Sequence, residues 1–103
     1  DTTATLTDRL IRKGTMLMVR TLPAYLRGEL EPKPQDESQA TYSRKLSKED
    51  GALRWELPAE TLWRQVRAYT PWPGSYTYWN GRLLKVIESI TRSPNGSPVG
   101  PPL

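Results

Sequence analysis

Leu6, Leu10, Leu17 and Thr21 recur at near-helical spacing at the start of the chain, with Arg9, Lys13 and Arg20 off that line. The pattern predicts a helix over roughly Thr3 to Gly28. Thr5 with Asp8 three residues on has the form of a capping box. Gly14 weakens the middle of this helix, and Pro23 is expected to end or kink it near Thr21 or Leu22. Ala24-Tyr25-Leu26 would then form a short second turn closed by Gly28. Such an amphipathic helix has to bury its apolar face, against the rest of this chain or against another domain.

From Glu31 to Thr41 the periodicity vanishes, and Pro32, Pro34 and a run of polar residues mark an extended linker. Ser47-Lys48-Glu49-Asp50-Gly51 reads as one capped turn stopped by glycine, and Leu53-Arg54-Trp55 as a brief extended piece. The clearest helix runs from Pro58, placed at its first position, to about Tyr69, with Ala59, Leu62, Trp63, Val66 and Tyr69 in one apolar stripe. Pro71-Trp72-Pro73-Gly74 halts it, and Pro73-Gly74 fits the centre of a type II turn.

A hairpin follows, because Asn80-Gly81 is a strong two-residue turn signal between Ser75–Trp79 and Arg82–Glu88. Its expected register pairs Trp79 with Arg82 and Ser75 with Val86. Tyr76, Tyr78, Leu83 and Lys85 then share one face, and Ser75, Thr77, Trp79, Arg82, Leu84 and Val86 the other. Each face mixes apolar and polar groups, so both are expected to be partly covered. Ser93 to Leu103 is rich in proline and glycine and reads as mobile coil, with no strand expected after Glu88. Two strands do not make a sheet that stands well in water. A truncated sheet is therefore expected.

The resulting fold class is α+β, with a helical lead-in, an extended linker, a second amphipathic helix and a hairpin. Composition narrows the chemistry. The chain has 103 residues, no cysteine and no histidine, and a net charge of +4. Disulfides and thiolate metal sites are excluded, and so is the commonest general base. No apolar run approaches the roughly 20 residues that span a bilayer, and no signal peptide opens the chain, so a cytoplasmic protein is the default and no membrane partner is expected. The basic balance suggests a polyanionic partner, though acids are interspersed throughout.

Several strings in order carry a resemblance: Pro34 to Tyr42 (PQDESQATY), Lys45 to Gly51 (KLSKEDG), Trp55, Pro58 to Trp79 (PAETLWRQVRAYTPWPGSYTYW) and Asn80 to Val86 (NGRLLKV). Together with the opening helix and its LPAYLRGEL exit, they resemble methionyl-tRNA formyltransferases over about Asp1 to Ile90. The resemblance implies a parent that transfers a formyl group from 10-formyltetrahydrofolate to methionine on initiator tRNA. Its catalytic Asn, His and Asp would lie in an N-terminal domain upstream of this chain, which then needs no cofactor of its own. It further implies that residues 1–30 are the last catalytic-domain helix and exit, 31–45 the linker, 46–90 the start of an OB-like β-barrel, and 91–103 a flexible tail. Sibling formyltransferases, which act on formyltetrahydrofolate or on an amino-arabinose nucleotide, share this architecture. Arg54 departs from the family, which often has Asp there.

Under this resemblance the chain's partners would be tRNA and its own catalytic domain. Lys33, Arg44, Lys45, Lys48, Arg54, Arg64, Arg67, Arg82 and Lys85 are the candidates for phosphate contacts, with Arg64 and Arg67 expected to matter to the salt dependence of binding. The alternative is a solvated surface paired with Glu49, Asp50, Glu56 and Glu60. Trp63, Trp72, Tyr76, Tyr78 and Trp79 could stack on unpaired bases; Tyr76 and Tyr78 are the pair retained as candidates, whereas Trp63 and Trp72 are expected in the core. Asp36-Glu37 and Glu49-Asp50 read as capping and solubility groups, not metal ligands, and Ser38, Ser43 and Ser47 have no base to activate them. A rival reading from another class is a packing module that self-associates through exposed apolar faces and an unpaired strand edge.

Overall fold

The computed structural model describes residues 1–92 and 98–99. The chain divides into two compact units: Leu6–Lys45, and Leu46–Leu103 together with Asp1–Thr5.

The first of these is mostly helix. α1 spans Thr3–Leu26 without interruption and carries Pro23 inside it. The expected break at Pro23 is therefore corrected. Proline removes one backbone donor, but the helix resumes at once, with Arg27 N–H donating to Pro23 O at 3.1 Å. Its end is locked by two bonds that reach back over the last turn: Gly28 N–H to Tyr25 O and Glu29 N–H to Ala24 O, each 3.0 Å. Gly28 has φ +76, the left-handed conformation that this stop requires. Those bonds hold Ala24 and Tyr25 helical on the far side of the proline.

The cap at the other end also differs from expectation. The Thr5 hydroxyl accepts from Thr2 N–H at 2.9 Å and the Thr2 hydroxyl from Thr5 N–H at 3.3 Å, so the reciprocal pair lies three residues earlier than Thr5–Asp8. Past Arg27, which pairs with Glu29 at 2.6 Å, the chain is extended. One 3-10 turn, Glu37–Gln39, interrupts it. Asp36 caps that turn, its carboxylate accepting from Ser38 N–H at 3.0 Å, Ser38 Oγ at 2.6 Å and Gln39 Nε2 at 2.8 Å.

The second unit opens on the expected capped turn, Lys48–Gly51, with Ser47 N–H donating to the Asp50 carboxylate at 2.7 Å. Gly51 then passes directly over Gly74. A Cβ on Gly51 would stand 2.1 Å from Gly74 O, so only glycine permits this approach. The chain runs on beside β1 (Ser75–Trp79), where Ala52 bridges to Tyr76 and Leu53 N–H donates to Tyr76 O at 2.8 Å. This is the brief extended piece read from sequence.

α2 covers Ala59–Ala68, with Pro58 as its N-cap instead of its first helical residue, and Tyr69 as its C-cap. Gln65 Nε2 reaches back to the carbonyls of Asp50 and Ala52 at 3.3 and 3.4 Å, tying the helix to the capped turn. The first residues of the chain also join this unit, since Thr3 Oγ1 donates to Ala68 O and Ala4 N–H to Thr70 O at 3.3 Å. Pro71 and Pro73 both follow cis peptide bonds, and Gly74 has the positive φ expected of it, +81.

β1 pairs with β2 (Arg82–Val86) in the register read from the sequence, from Ser75–Val86 to Trp79–Arg82. Asn80 (φ +48) and Gly81 (φ +74) supply the two positive-φ positions of a tight hairpin turn. The expectation of coil after Glu88 is overturned: β3 (Thr91–Arg92) pairs antiparallel with β4 (Pro98–Val99). The sequence signal failed because two-residue strands leave no alternation to detect, and proline at 98 argues against a strand. The rest of the proposed coil, 93–97 and 100–103, lies outside the described residues.

Val66 is 3% exposed and is the buried hydrophobic side chain among the described residues; Gly51, Ser75 and Thr91 are also buried. The hairpin is covered by position along its length, not by face. Ser75 is buried at its base and Tyr76, Thr77 and Val86 are half-covered, whereas Tyr78, Trp79, Arg82, Leu83, Leu84 and Lys85 are exposed toward the tip. Both faces become wet as the strands run beyond the segment around Gly51 and Ala52.

Candidate nucleic-acid interface

The nine basic candidates fall in both units. Lys33, Arg44 and Lys45 lie in the extended segment of the first. The other six lie in the second: Lys48 on the capped turn, Arg54 just beyond it, Arg64 and Arg67 on α2, and Arg82 and Lys85 on β2.

Two of these six are engaged as the solvated-surface alternative expects. Arg54 Nε donates to Glu56 at 2.9 Å and an Arg64 Nη to Glu60 at 2.5 Å, the latter one helical turn apart. The Arg54 guanidinium holds the Glu56 carboxyl below the usual carboxylate range. Both pairs are exposed, where solvent screening leaves such contacts little net stabilisation. A phosphate can therefore displace either carboxylate at little cost.

Arg67 is held differently. Its guanidinium carbon lies 3.9 Å from the centroid of the Trp63 ring, and its buried Nε has no hydrogen-bond partner among the described residues. This stack fixes the cation half-buried on the surface of α2 and covers one face of the indole. Lys48, Arg82 and Lys85 are exposed and show no ion pair among the described residues. Strand alternation places Arg82 and Lys85 on opposite faces of the hairpin, so the fold does not bring these two onto one surface.

The aromatics are arranged otherwise than the sequence suggested. Trp63 is half-covered, but Trp72 is 52% exposed and is no core residue, because the Pro-Trp-Pro-Gly corner turns its ring outward. Tyr76 and Tyr78 meet edge to face with centroids 6.0 Å apart, and only Tyr78 is exposed. The most open indoles are Trp55 (64%) and Trp79 (68%); the sequence raised Trp79 for stacking without retaining it, and did not single out Trp55. A signal for Trp79 was present, since a residue flanking a two-residue turn stands at a hairpin tip. Trp55 offered none.

Beside the hairpin, Leu53, Trp55, Leu62, Trp63, Val66 and Ile90, with Ser89 and Thr91, line an open cleft of about 150 Å³. Among the described residues no three carboxylates gather to hold a metal. Asp36 and Glu49 sit below their ordinary pKa for local reasons: the Ser38 hydroxyl and its neighbours hold the first, and backbone N–H and Ser47 the second. They are caps. No described helix is long and apolar enough to cross a membrane.

Residues 45–100 match the family of the formyl transferase C-terminal domain, and the chain belongs to that family. Among curated relatives, it is 51% identical over 94 residues to a methionyl-tRNA formyltransferase of Chloroflexus aurantiacus, covering 91% of this chain and 30% of the relative. It is 42% identical over 99 residues to that of Roseiflexus castenholzii (96% and 32%) and 40% over 97 residues to that of Streptococcus equi subsp. equi (94% and 31%). The chain thus spans about a third of the length of these relatives.

Proposed function

We propose that this chain is the non-catalytic, tRNA-holding portion of a methionyl-tRNA formyltransferase, acting by electrostatic positioning and not by bond chemistry. The observation that carries the reading is the family match together with relatives of that name aligned along nearly the whole chain. In this reading 1–30 is the last helix of a catalytic domain with its exit, 31–45 the linker, 46–90 the start of an OB-like barrel and 91–103 its tail. The exposed cations of the second unit touch tRNA phosphates, fixing orientation without reading sequence. The parent transfers a formyl group from 10-formyltetrahydrofolate to methionine on initiator tRNA, in the cytoplasm.

The residues present do not fit formyl-transfer chemistry. The chain has no histidine, and the Asp36 and Asp50 carboxylates are committed to capping turns. No step through the folate is therefore assigned to this chain. Its contribution is to hold the tRNA so that the acceptor end is presented elsewhere, an entropic gain in the approach of the reacting groups.

Fluorescence anisotropy of labelled initiator tRNA, with an elongator tRNA beside it, tests the reading. Saturable binding that is equal for both tRNAs and weakens with salt is expected. No binding at low salt would refute it.

A second reading is favoured by one feature. No residue of α1 is buried, and Leu10, Ile11, Leu17, Met18 and Val19 are all exposed. The chain would then be a packing module, whose helix docks on a catalytic domain or on another copy. Concentration-dependent sedimentation without tRNA affinity distinguishes it.

A further inference from the structure

Trp55 and Trp79 open onto the same face of the hairpin. Trp55 Nε1 donates to Thr77 Oγ1 at 2.9 Å, which fixes the indole over the side of β1 that also carries Trp79. Thr77 and Trp79 are two residues apart on the strand, a spacing of roughly 7 Å. Arg82 is the cross-strand partner of Trp79 and projects on that face too, as does Val86, which sits with Trp55 in the wall of the cleft. The face is therefore a row of two exposed indoles, with a cation at the tip and an apolar hollow at the base.

The charge around the row selects among occupants. On this face of the hairpin the charged side chain is Arg82, and Ser75 to Val86 holds no carboxylate. An apolar protein partner does not call for that imbalance, whereas a polyanion does. Flat, exposed rings beside a cation match an unpaired nucleotide, whose base stacks while its phosphate is neutralised. Inside the cleft, the buried Ser89 Oγ has no hydrogen-bond partner among the described residues, which leaves a polar group for the edge of an inserted base.

We propose that the Trp55–Trp79 face is a stacking platform for unpaired RNA nucleotides, with Arg82 on the adjoining phosphate. This rests on the tRNA-holding reading and refines it, because the platform takes single-stranded segments of the RNA, in contrast with the duplex backbone. It also differs from the stacking role expected of Tyr76 and Tyr78, which lie on the opposite face.

The test titrates the 103-residue chain with a short unstructured oligouridylate, an RNA duplex of equal length and initiator tRNA, following tryptophan fluorescence and anisotropy. The chain is expected to bind the oligouridylate more tightly than the duplex, with quenching of the indoles. W79L, which keeps an apolar side chain but no ring, is expected to weaken oligouridylate binding roughly five- to hundredfold, the range that loss of one stacked base gives. W79F retains most of the affinity, and W55L weakens binding in the same sense. Circular dichroism checks that each variant remains folded; Trp79 is exposed, so W79L in particular is expected to fold.

Equal binding by W79L and W79F would overturn the platform, since an apolar protein-docking face tolerates either residue. Preference for duplex would overturn it as well. If tRNA binds with strong salt dependence while the oligouridylate neither binds nor quenches, the platform falls and the tRNA-holding reading stands. If no RNA binds at low salt, both fall.

Discussion

The two units are held by different kinds of contact. Leu6–Lys45 is stabilised locally: its turns close through neighbours two to five residues away, such as Ser38 to Asp36 and Glu29 to Ala24, and α1 buries no side chain. In Leu46–Leu103 the decisive contacts are distant in sequence. Gly51 lies against Gly74, Leu53 bonds Tyr76, Trp55 bonds Thr77 and Gln65 reaches Asp50 and Ala52. The lesson is that the second unit keeps its shape by backbone closeness around a very small core, while the first has secondary structure that is still looking for a partner. An isolated helix gains little from propensity alone and depends on packing of its apolar face.

Gly51→Ala is the sharpest way to break the second unit without touching the first. A methyl group 2.1 Å from a carbonyl oxygen cannot be relieved by a rotamer change, so the capped turn has to leave β1. A loss of about 3 kcal/mol is expected, read as collapse of the near-ultraviolet signal of the tryptophans, with much of the helical signal retained. Unchanged melting would show that the Gly51–Gly74 contact is not what closes this unit.

Pro23→Ala probes the first unit in the opposite direction. Proline inside a helix costs roughly 3 kcal/mol, and α1 has no buried residue to offset it. The variant should raise the helicity of the chain by far-ultraviolet circular dichroism and leave the tryptophan signals of the second unit alone. A smaller effect than proline's usual cost would mean that the helix is already secured by the bonds at Gly28 and Glu29.

The smallest expected effect is that of acid. Asp36 and Glu49 have folded pKa values below their ordinary ones, so what they contribute is present at neutral pH and lost only as pH falls through the lowered values. Both are exposed. As pH falls through those lowered values the amides bound to the two carboxylates should be released, seen as faster amide exchange at Ser38 and Glu49 with little change in global melting. Loosening already near neutral pH would contradict the direction of these shifts.

What was legible in the sequence follows the same division. The hairpin register was readable to the residue because Asn80-Gly81 determines it locally, and α2 because its stripe and Pro58 are local as well. Three things were not readable. The Gly51–Gly74 approach joins residues 23 positions apart, and no pattern in either segment announces it. The passage of α1 through Pro23 depends on bonds made after the proline, which propensity does not weigh. The exposure of Trp72, together with the graded covering of the hairpin, depends on where neighbouring segments stop, so Trp55 went unnoticed and Trp79 was not retained, while Trp72 was expected in the core. The basic candidates were legible only as residue types; their differing engagement, Arg64 with Glu60 and Arg67 with Trp63, emerged only from the fold.

That difference supplies the most direct measurement. The salt dependence of initiator-tRNA affinity should be compared for the chain, for Arg64→Ala/Arg67→Ala and for Arg82→Ala/Lys85→Ala, over a range from about 50 to 200 mM salt. Each lost phosphate contact lowers the slope of log K against log salt by about 1. A steep slope is expected for the chain, with a larger flattening from the hairpin pair, whose cations have no ion pair among the described residues, than from the helix pair. A shallow slope for the chain, or one that neither double variant changes, would contradict the claim that this domain holds tRNA through its exposed cations.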